Sequence, residues 1–318
     1  VGQLWPILLE KHHLTINFAY TQFKWTSDAR GKAQVIVIIL GLGKKSSDEK
    51  RLFYEENEKI VEEHPEYISP YLIGNKEQLP IVKNASNPIN GLHKLKDGAV
   101  PLDDGNFTFT NDEMNEFLND EPNAKKWFRP FINAENFISG KKNWLLTLQD
   151  IKPNEIRNSP KIKNRINAVK EFRMHSKRKQ TKILADKPTH FAWGVVPTKS
   201  FLTIPRVTSE RREYIPIGYL KPPIIPSNAL MVIEDPKIEI FGVLTSKMHM
   251  IWLRLVGGKL KTDSRYSSGM VYNTFPIPNT KLDSLKQYAQ KILDIRKNHK
   301  DSTFADLYDP DSMPSDLK

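Results

Sequence analysis

The chain has 318 residues, enough for about two domains at ~150 residues each, and its composition is 39% hydrophobic, 27% charged and 10% aromatic. That balance excludes collagen-like, coiled-coil and wholly disordered classes. With no cysteine, disulfides, iron-sulfur clusters, thiolate zinc sites and cysteine nucleophiles are excluded, and the chemistry fits a reducing cytoplasm.

The net charge of +11 is unevenly placed. Residues 1–63 carry 9 Lys and Arg against 9 Asp and Glu, and residues 64–151 carry 9 against 12. Residues 152–213 carry 16 against 5, so this one segment holds the excess. A concentrated positive field is the footprint of a polyanion-binding face, because each cation near a phosphate releases condensed counterions. A merely solvated basic surface has the same composition.

In chain order, residues 3–11 read as a helix and INFAYTQFKW (16–25) alternates like a strand. QVIVIILGL (34–42) is a β-branched run of the kind buried on both sheet faces. Its apolar core at 35–40 is far below the ~20 residues of a membrane-spanning helix. Opening on Val1, with no initiator Met or signal peptide, the chain reads as an excised fragment that begins inside a sheet. KKSSDEKR (44–51) reads as a polar boundary, residues 53–63 as a charged helix, and the Pro-, Gly- and Asn-rich stretch 64–110 as loops and short strands. Residues 112–118 suit a short helix and residues 143–149 a strand.

Ser159 is a natural N-cap with Pro160 at the first helical position, and Ile162, Ile166, Val169 and Phe172 then form one apolar stripe. The remaining faces carry Lys161, Lys163, Arg165, Lys170 and Arg173, followed by Lys177, Arg178 and Lys179. Strands are expected at 190–196, 200–204 and 229–235, one amphipathic helix over 241–256 ended by Gly257-Gly258, and another over 282–297. In the first of these helices Phe241, Leu244, Met248, Ile251, Trp252 and Leu255 make a core stripe.

Several chemistries lack their motifs. GLG (41–43) has no third glycine and opens no helix, and no phosphate-binding loop, HExxH or GxSxG is present. SNPI (86–89) lacks the second Pro and the aromatic of an amino-methyltransferase loop, and His12-His13 has no carboxylate at ligand spacing. No catalytic and no metal-binding residue is assigned. Ser209, Glu210, Arg211 and Arg212, with Arg206 flanking, lie between extended segments bounded by Pro205 and Pro216. Arg donates to the guanine acceptors and Glu accepts from the cytosine amino group, so the cluster suits reading of base edges; a surface salt-bridge network is the alternative. After Gly257-Gly258, the residues Lys259, Lys261, Arg265 and Tyr266 are either phosphate donors or a solvated turn. Lys177, Arg178 and Lys179 are the other phosphate contacts expected.

With these segments in place, the chain resembles the C-terminal part of MmeI-like (type IIL) restriction and modification enzymes. In that family one polypeptide joins a nuclease, an adenine methyltransferase and a target-recognition domain. The resemblance runs through LWP (4–6), residues 16–42, EPNAKKWFRPFINAENFISG (121–140), KPTHFAWG (187–194), IPRVTSERREYIPIGYL (204–220), residues 241–261, DSRYSSGMVYNTFPIP (263–278) and FADLYDPDSMP (304–314). A glycine-rich DGG stretch of the family appears here as KDGAVPL (96–102), and the sequence stops before the family's final helix.

The resemblance implies a mixed α/β (α+β) chain. Its expected parts are a remnant of a methyltransferase sheet (1–45), a recognition domain of short strands and helices (46–237) and a mainly helical C-terminal region (238–318). It implies sequence-specific recognition of double-stranded DNA within an S-adenosylmethionine-dependent adenine methyltransferase of the restriction-modification type. The cofactor and catalytic motifs precede Val1 in the family, so the fragment is expected to hold no cofactor and to be inactive alone. The alternatives are a structural or protein-interaction module with an incidental basic patch and, third, an RNA-binding domain, which would need exposed aromatics among the cations.

Overall fold

Alternating aromatic and branched residues, followed by an almost unbroken β-branched run, build a long antiparallel hairpin. In the computed structural model, which describes residues 1–26, 34–44, 49–89, 92–277 and 282–318, strand β1 (Leu14–Thr26) pairs with β2 (Gln34–Lys44) from Leu14↔Lys44 to Thr26↔Gln34. β1 pairs in parallel with β3 (Arg51–Glu56), which returns as β4 (Lys59–Glu63), giving the order β2-β1-β3-β4. Ile16, Ala19 and Leu52 of this sheet are buried with Trp5 and Ile68. These elements belong to the first of two units, residues 1–91 with 251–276. The boundary expected between residues 45 and 46 falls outside the described residues.

Two expectations for this unit change. β2 is not buried on both faces: it is an edge strand, Val35 is 54% exposed, and Ile38, Ile39 and Leu42 are exposed as well. A continuous apolar run signals two-sided burial only where other elements pack on both faces of the sheet, and the exposed side chains of β2 are not so covered here. Residues 53–63 form no helix but the β3–β4 hairpin. Its turn residues Asn57 (φ 50°) and Glu58 (φ 61°) take the left-handed conformation that matches a two-residue hairpin turn to strand twist. Cross-strand bonds from Arg51 Nε to Glu62 (2.6 Å) and from the Tyr54 hydroxyl to Glu63 (2.8 Å) use the charges that suggested a solvated helix.

The second unit, residues 92–250 with 277–318, holds two four-stranded sheets. One runs Gly218–Leu220, Phe201–Pro205, Leu230–Glu234, Lys96–Asp97, with all five residues of Phe201–Pro205 buried. The other runs Ile225–Pro226, Phe128–Ile132, Asn143–Leu146, Thr108–Phe109. Phe109, Phe117 and Phe128 meet edge to face with ring centroids 5.0–5.7 Å apart, and Leu145, Leu146, Ile162 and Val169 close the same core. The helix Asn111–Asp120 supplies Phe117 and begins in a reciprocal cap between Thr110 and Glu113.

Residues 193–195 lie along 98–100 in a pairing shorter than the strand expected at 190–196. The Val195 amide donates to the Asp97 carbonyl (2.9 Å), and Val100 and Trp193 are bonded N–H to O at 2.9 Å. The approach requires glycine. Gly194 sits at φ +95°, where a Cβ would fall 2.1 Å from the Gly98 carbonyl oxygen, and a Cβ on Gly98 would fall 2.3 Å from that of Ser227.

The single helix expected over 241–256 is two, Ile238–Leu244 and Lys247–Val256. At the break the Phe241 carbonyl takes both the Thr245 amide (3.0 Å) and Thr245 Oγ1 (2.8 Å), and Ser246 Oγ accepts the His249 amide (3.2 Å), capping the second helix. The break rotates the phase of the stripe. Phe241 and Leu244 are buried as expected, but Met248 is 69% exposed and Ile251 is exposed, while His249, Met250 and Leu253 take the inner positions. Burial holds the His249 imidazole at a pKa of about 3, neutral under ordinary conditions. The chain of the second unit ends with the helix Asp283–Asn298 and a capped turn, Phe304–Leu307.

Candidate nucleic-acid interface

The chain leaves the buried strand Phe201–Pro205 at Arg206 and returns at Gly218, so residues 206–217, which open with the two-residue strand Val207–Thr208, are a loop with both ends rooted in one sheet. At its start, Arg206 Nε donates to the Asn228 carbonyl (3.2 Å), its amide to the Ala229 carbonyl (2.9 Å), and its guanidinium pairs with Asp97. Its end is held by burial of Ile215, Pro216 and Ile217, by the Ile215 amide on Met250 Sδ (3.4 Å), and by Arg296 Nη1 on the Ile217 carbonyl (2.7 Å).

Between these anchors Ser209–Arg212 is a tight turn rather than an extended segment. The Arg212 amide donates to the Ser209 carbonyl (3.1 Å) and the Arg211 amide to Ser209 Oγ (3.3 Å). Adjacent side chains therefore do not simply face opposite ways, as extended backbone would have them. Glu210 and Arg211 stand exposed at the corners and Arg212 is half-buried. The Arg211 side chain is 60% exposed and reaches Asp311 at 2.5 Å.

The basic helix spans Pro160–Met174, with Ile162, Ile166 and Val169 buried as the stripe predicts. Ser159 holds the N-cap position, but Glu121 does the capping: its carboxylate accepts from the Lys161 amide (2.6 Å) and from the Ser159 hydroxyl. Three expected surface cations serve the fold instead. Lys161 pairs with Asp120, and Arg165 lies 4.1 Å over the Phe109 ring while donating to the Asn106 carbonyl (2.6 Å). Arg173 is fully buried, with its five donors on the carbonyls of Pro101, Leu102, Leu184, Lys187 and His190 at 2.8–3.0 Å. Phe172, expected to end the stripe, is only half-buried. Lys177 and Arg178 follow the helix in a turn, and Lys179 starts the short helix Lys179–Ile183; all three are exposed and none is ion-paired to a described carboxylate.

In the first unit, Gly258–Leu260 and Asp263–Arg265 form a hairpin with Lys261 at φ 57° in its turn. Lys259, Lys261 and Arg265 are exposed. Tyr266 is not a phosphate donor in this fold. It is 1% exposed, and burial, with Tyr272 adding to it, raises its phenol well above the ordinary range. A tyrosine beside cations in sequence carries no mark of which face it takes, and this one packs inward. Among the described residues, no three His, Asp or Glu side chains are grouped to hold a metal ion, and no helix is long and apolar enough to cross a membrane.

Residues 75–279, well over half of the chain, match the family model of the MmeI target recognition domain. The chain belongs to the MmeI family. Residues 1–54 match the MmeI DNA-methyltransferase domain and residues 277–318 the MmeI C-terminal domain. DNA methyltransferase A of Bacillus subtilis (strain 168) is 39% identical over 322 residues, an alignment covering 100% of this chain and 36% of that protein. The Type IIL restriction-modification enzyme MmeI, solved in complex with DNA, superposes with a TM-score of 0.93 at 39% identity, covering 99% of this chain and 42% of the MmeI chain. The chain thus spans less than half the length of these relatives and shares the mixed α/β fold of MmeI. The loop 206–217 and the basic helix both fall within the MmeI recognition-domain match, whereas Arg296 and Asp311 fall within the C-terminal-domain match.

Proposed function

We propose that this chain reads a specific sequence of double-stranded DNA on behalf of an adenine-directed methyltransferase of the restriction-modification type. The observation that carries the reading is the turn Ser209–Arg212, which exposes Glu210 and Arg211 from a loop rooted in a buried sheet within the MmeI recognition-domain match. In this reading Ser209, Glu210 and one of the two arginines Arg211 and Arg212, flanked by Arg206, contact base edges, and the other arginine braces the turn. Lys177, Arg178 and Lys179, and separately Lys259, Lys261 and Arg265, contact phosphates, which set register without carrying sequence information.

An enzyme that modifies the adenine amino group takes the base out of the stack, and a reader fixes which base is presented. The methyl donor of the whole polypeptide is S-adenosylmethionine. The residues here do not fit that cofactor: Gly41 and Gly43 leave room for the Phe18 ring and the Asn17 amide, and the next described element is another strand, not a helix whose N-terminus would take an anionic group. No step of methyl transfer is assigned to these residues, and the chain alone is inactive as a methyltransferase. The protein works in the cytoplasm, where its DNA lies.

Selection from a randomised duplex library tests the base contacts. Glu210→Lys and Arg212→Ala each relax or change the preference at one base pair, with a loss of ~1–3 kcal/mol confined to that position. Uniform weakening with the selected sequence intact removes the turn from base reading. The hairpin is tested by limited trypsin digestion. Added duplex slows cleavage after Lys259, Lys261 and Arg265 several-fold, and unchanged cleavage leaves it a solvated turn.

A further inference from the structure

We infer that the C-terminal segment is part of the reader: Asp311 and Arg296 are positioning residues that hold the turn 209–212 in its reading conformation, and Arg211 is its brace. The inference rests on the reading of that turn as the base-contacting element and adds to it two residues outside the recognition-domain match.

A loop that discriminates bases must offer its donors and acceptors in one arrangement before the duplex arrives, because ordering it on binding subtracts from affinity. The start of the loop is held within the sheet by Arg206. Its tip and its end are held from the C-terminal segment. At the end, the Arg296 guanidinium stands 5.0–5.1 Å from the rings of Phe241, Phe304 and Tyr308 and donates to the Ile217 carbonyl and the Tyr308 hydroxyl. A planar, permanently charged fork among three rings fixes where that carbonyl sits.

At the tip, Asp311 rides on a turn that is itself tied. The Asp311 amide donates to Asp309 Oδ1 (3.0 Å), the Met313 amide to the Asp309 carbonyl (2.8 Å) and the Ser312 hydroxyl to the Asp306 carbonyl (2.8 Å). The carboxylate is thus presented at a set place, and Arg211 meets it at 2.5 Å. Both partners are largely solvated, so the pair adds little to folding; its effect is to select one arrangement of a long side chain.

The experiment is selection of the full chain on a randomised duplex library, followed by titration of the selected and a scrambled duplex. Asp311→Asn weakens the selected duplex about fivefold, the scale of one exposed ion pair, leaves the scrambled duplex unchanged, and relaxes one base position. Arg211→Ala does the same, and the two together do no more. Arg211→Asp loses the preference and Arg211→Asp with Asp311→Arg restores it. Arg296→Lys produces a larger loss of the same kind, with a thermal melt run beside it; Asp311→Asn, at an exposed site, keeps the melting temperature and keeps the test open if Arg296→Lys unfolds. Unchanged preference in Asp311→Asn, while Glu210→Lys and Arg212→Ala alter it, overturns the inference and leaves the reading standing. If no variant alters the preference, or the chain selects no sequence, the reading falls and the inference with it.

Discussion

Replacing Arg173 by Met is expected to cost about 3–5 kcal/mol of folding stability, although the residue sits at the end of a helix rich in surface cations. The guanidinium is fully buried and places its five N–H donors on five main-chain carbonyls drawn from residues 101–102 and 184–190. Burial pulls its pKa down and Asp103 lifts it, the burial effect being the larger; an arginine nevertheless stays charged. Methionine fills much of the volume but leaves those carbonyls to find water or go without, and each buried acceptor left alone costs about 1–3 kcal/mol before the loops relax. Arg173→Lys keeps the charge with only three donors on a tetrahedral head, so it recovers part of the loss and no more. Urea unfolding of both variants measures it. A change below about 1 kcal/mol in Arg173→Met would show that the loops hold themselves.

The opposite behaviour is expected of the cations just beyond it. Reversing Lys177, Arg178 and Lys179 to Glu leaves stability within about 0.5 kcal/mol, because the side chains are exposed and unpaired to any described carboxylate. It weakens binding to every duplex alike, by about a hundredfold at low salt. It also lowers the slope of log affinity against log salt by about 3, one unit for each phosphate that is no longer neutralised. Anisotropy titrations at several salt concentrations read both quantities. Unchanged affinity and slope would make this turn a solvated surface, and a loss confined to one sequence would make it part of base reading instead.

These two results separate cations that neighbour one another in sequence, and that separation marks the limit of what the pattern reveals. Periodicity finds Ile162, Ile166 and Val169 because one helix face is enough to define them. It cannot find Arg173, whose partners at Pro101 and Leu102 lie 72 and 71 residues away and are main-chain atoms of no particular sequence. Likewise Ser159 marks the helix start correctly, while the carboxylate that caps it comes from Glu121, 38 residues earlier. The hairpin over 51–63 was open to reading from Asn57, a residue that accepts the left-handed conformation, but the surrounding charges resemble a solvated helix face. The break after Leu244 is a local event, a second helix started by Ser246 Oγ on the His249 amide, and it moved Met248 and Ile251 outward. For the candidate site, residue types and bounding prolines locate the loop 206–217. They do not give the turn within it or its tie to Asp311, 100 residues further on.

The pair Gly98 and Gly194 sets a different kind of boundary, one that would be written in natural variation. A side chain at either position would drive a Cβ into carbonyl oxygens, and no rotamer avoids that, because the collision is with main chain. The turn 209–212 carries no such restriction: its main chain is fixed from both ends and its exposed side chains are replaceable without disturbing the buried strands beneath. Relatives that diverge in what they bind are therefore expected to vary at Glu210 and Arg212, to change Arg211 only together with Asp311, and to keep glycine at 98 and 194. The least chemical residues of the domain would then change most slowly, while the most chemical ones change fastest.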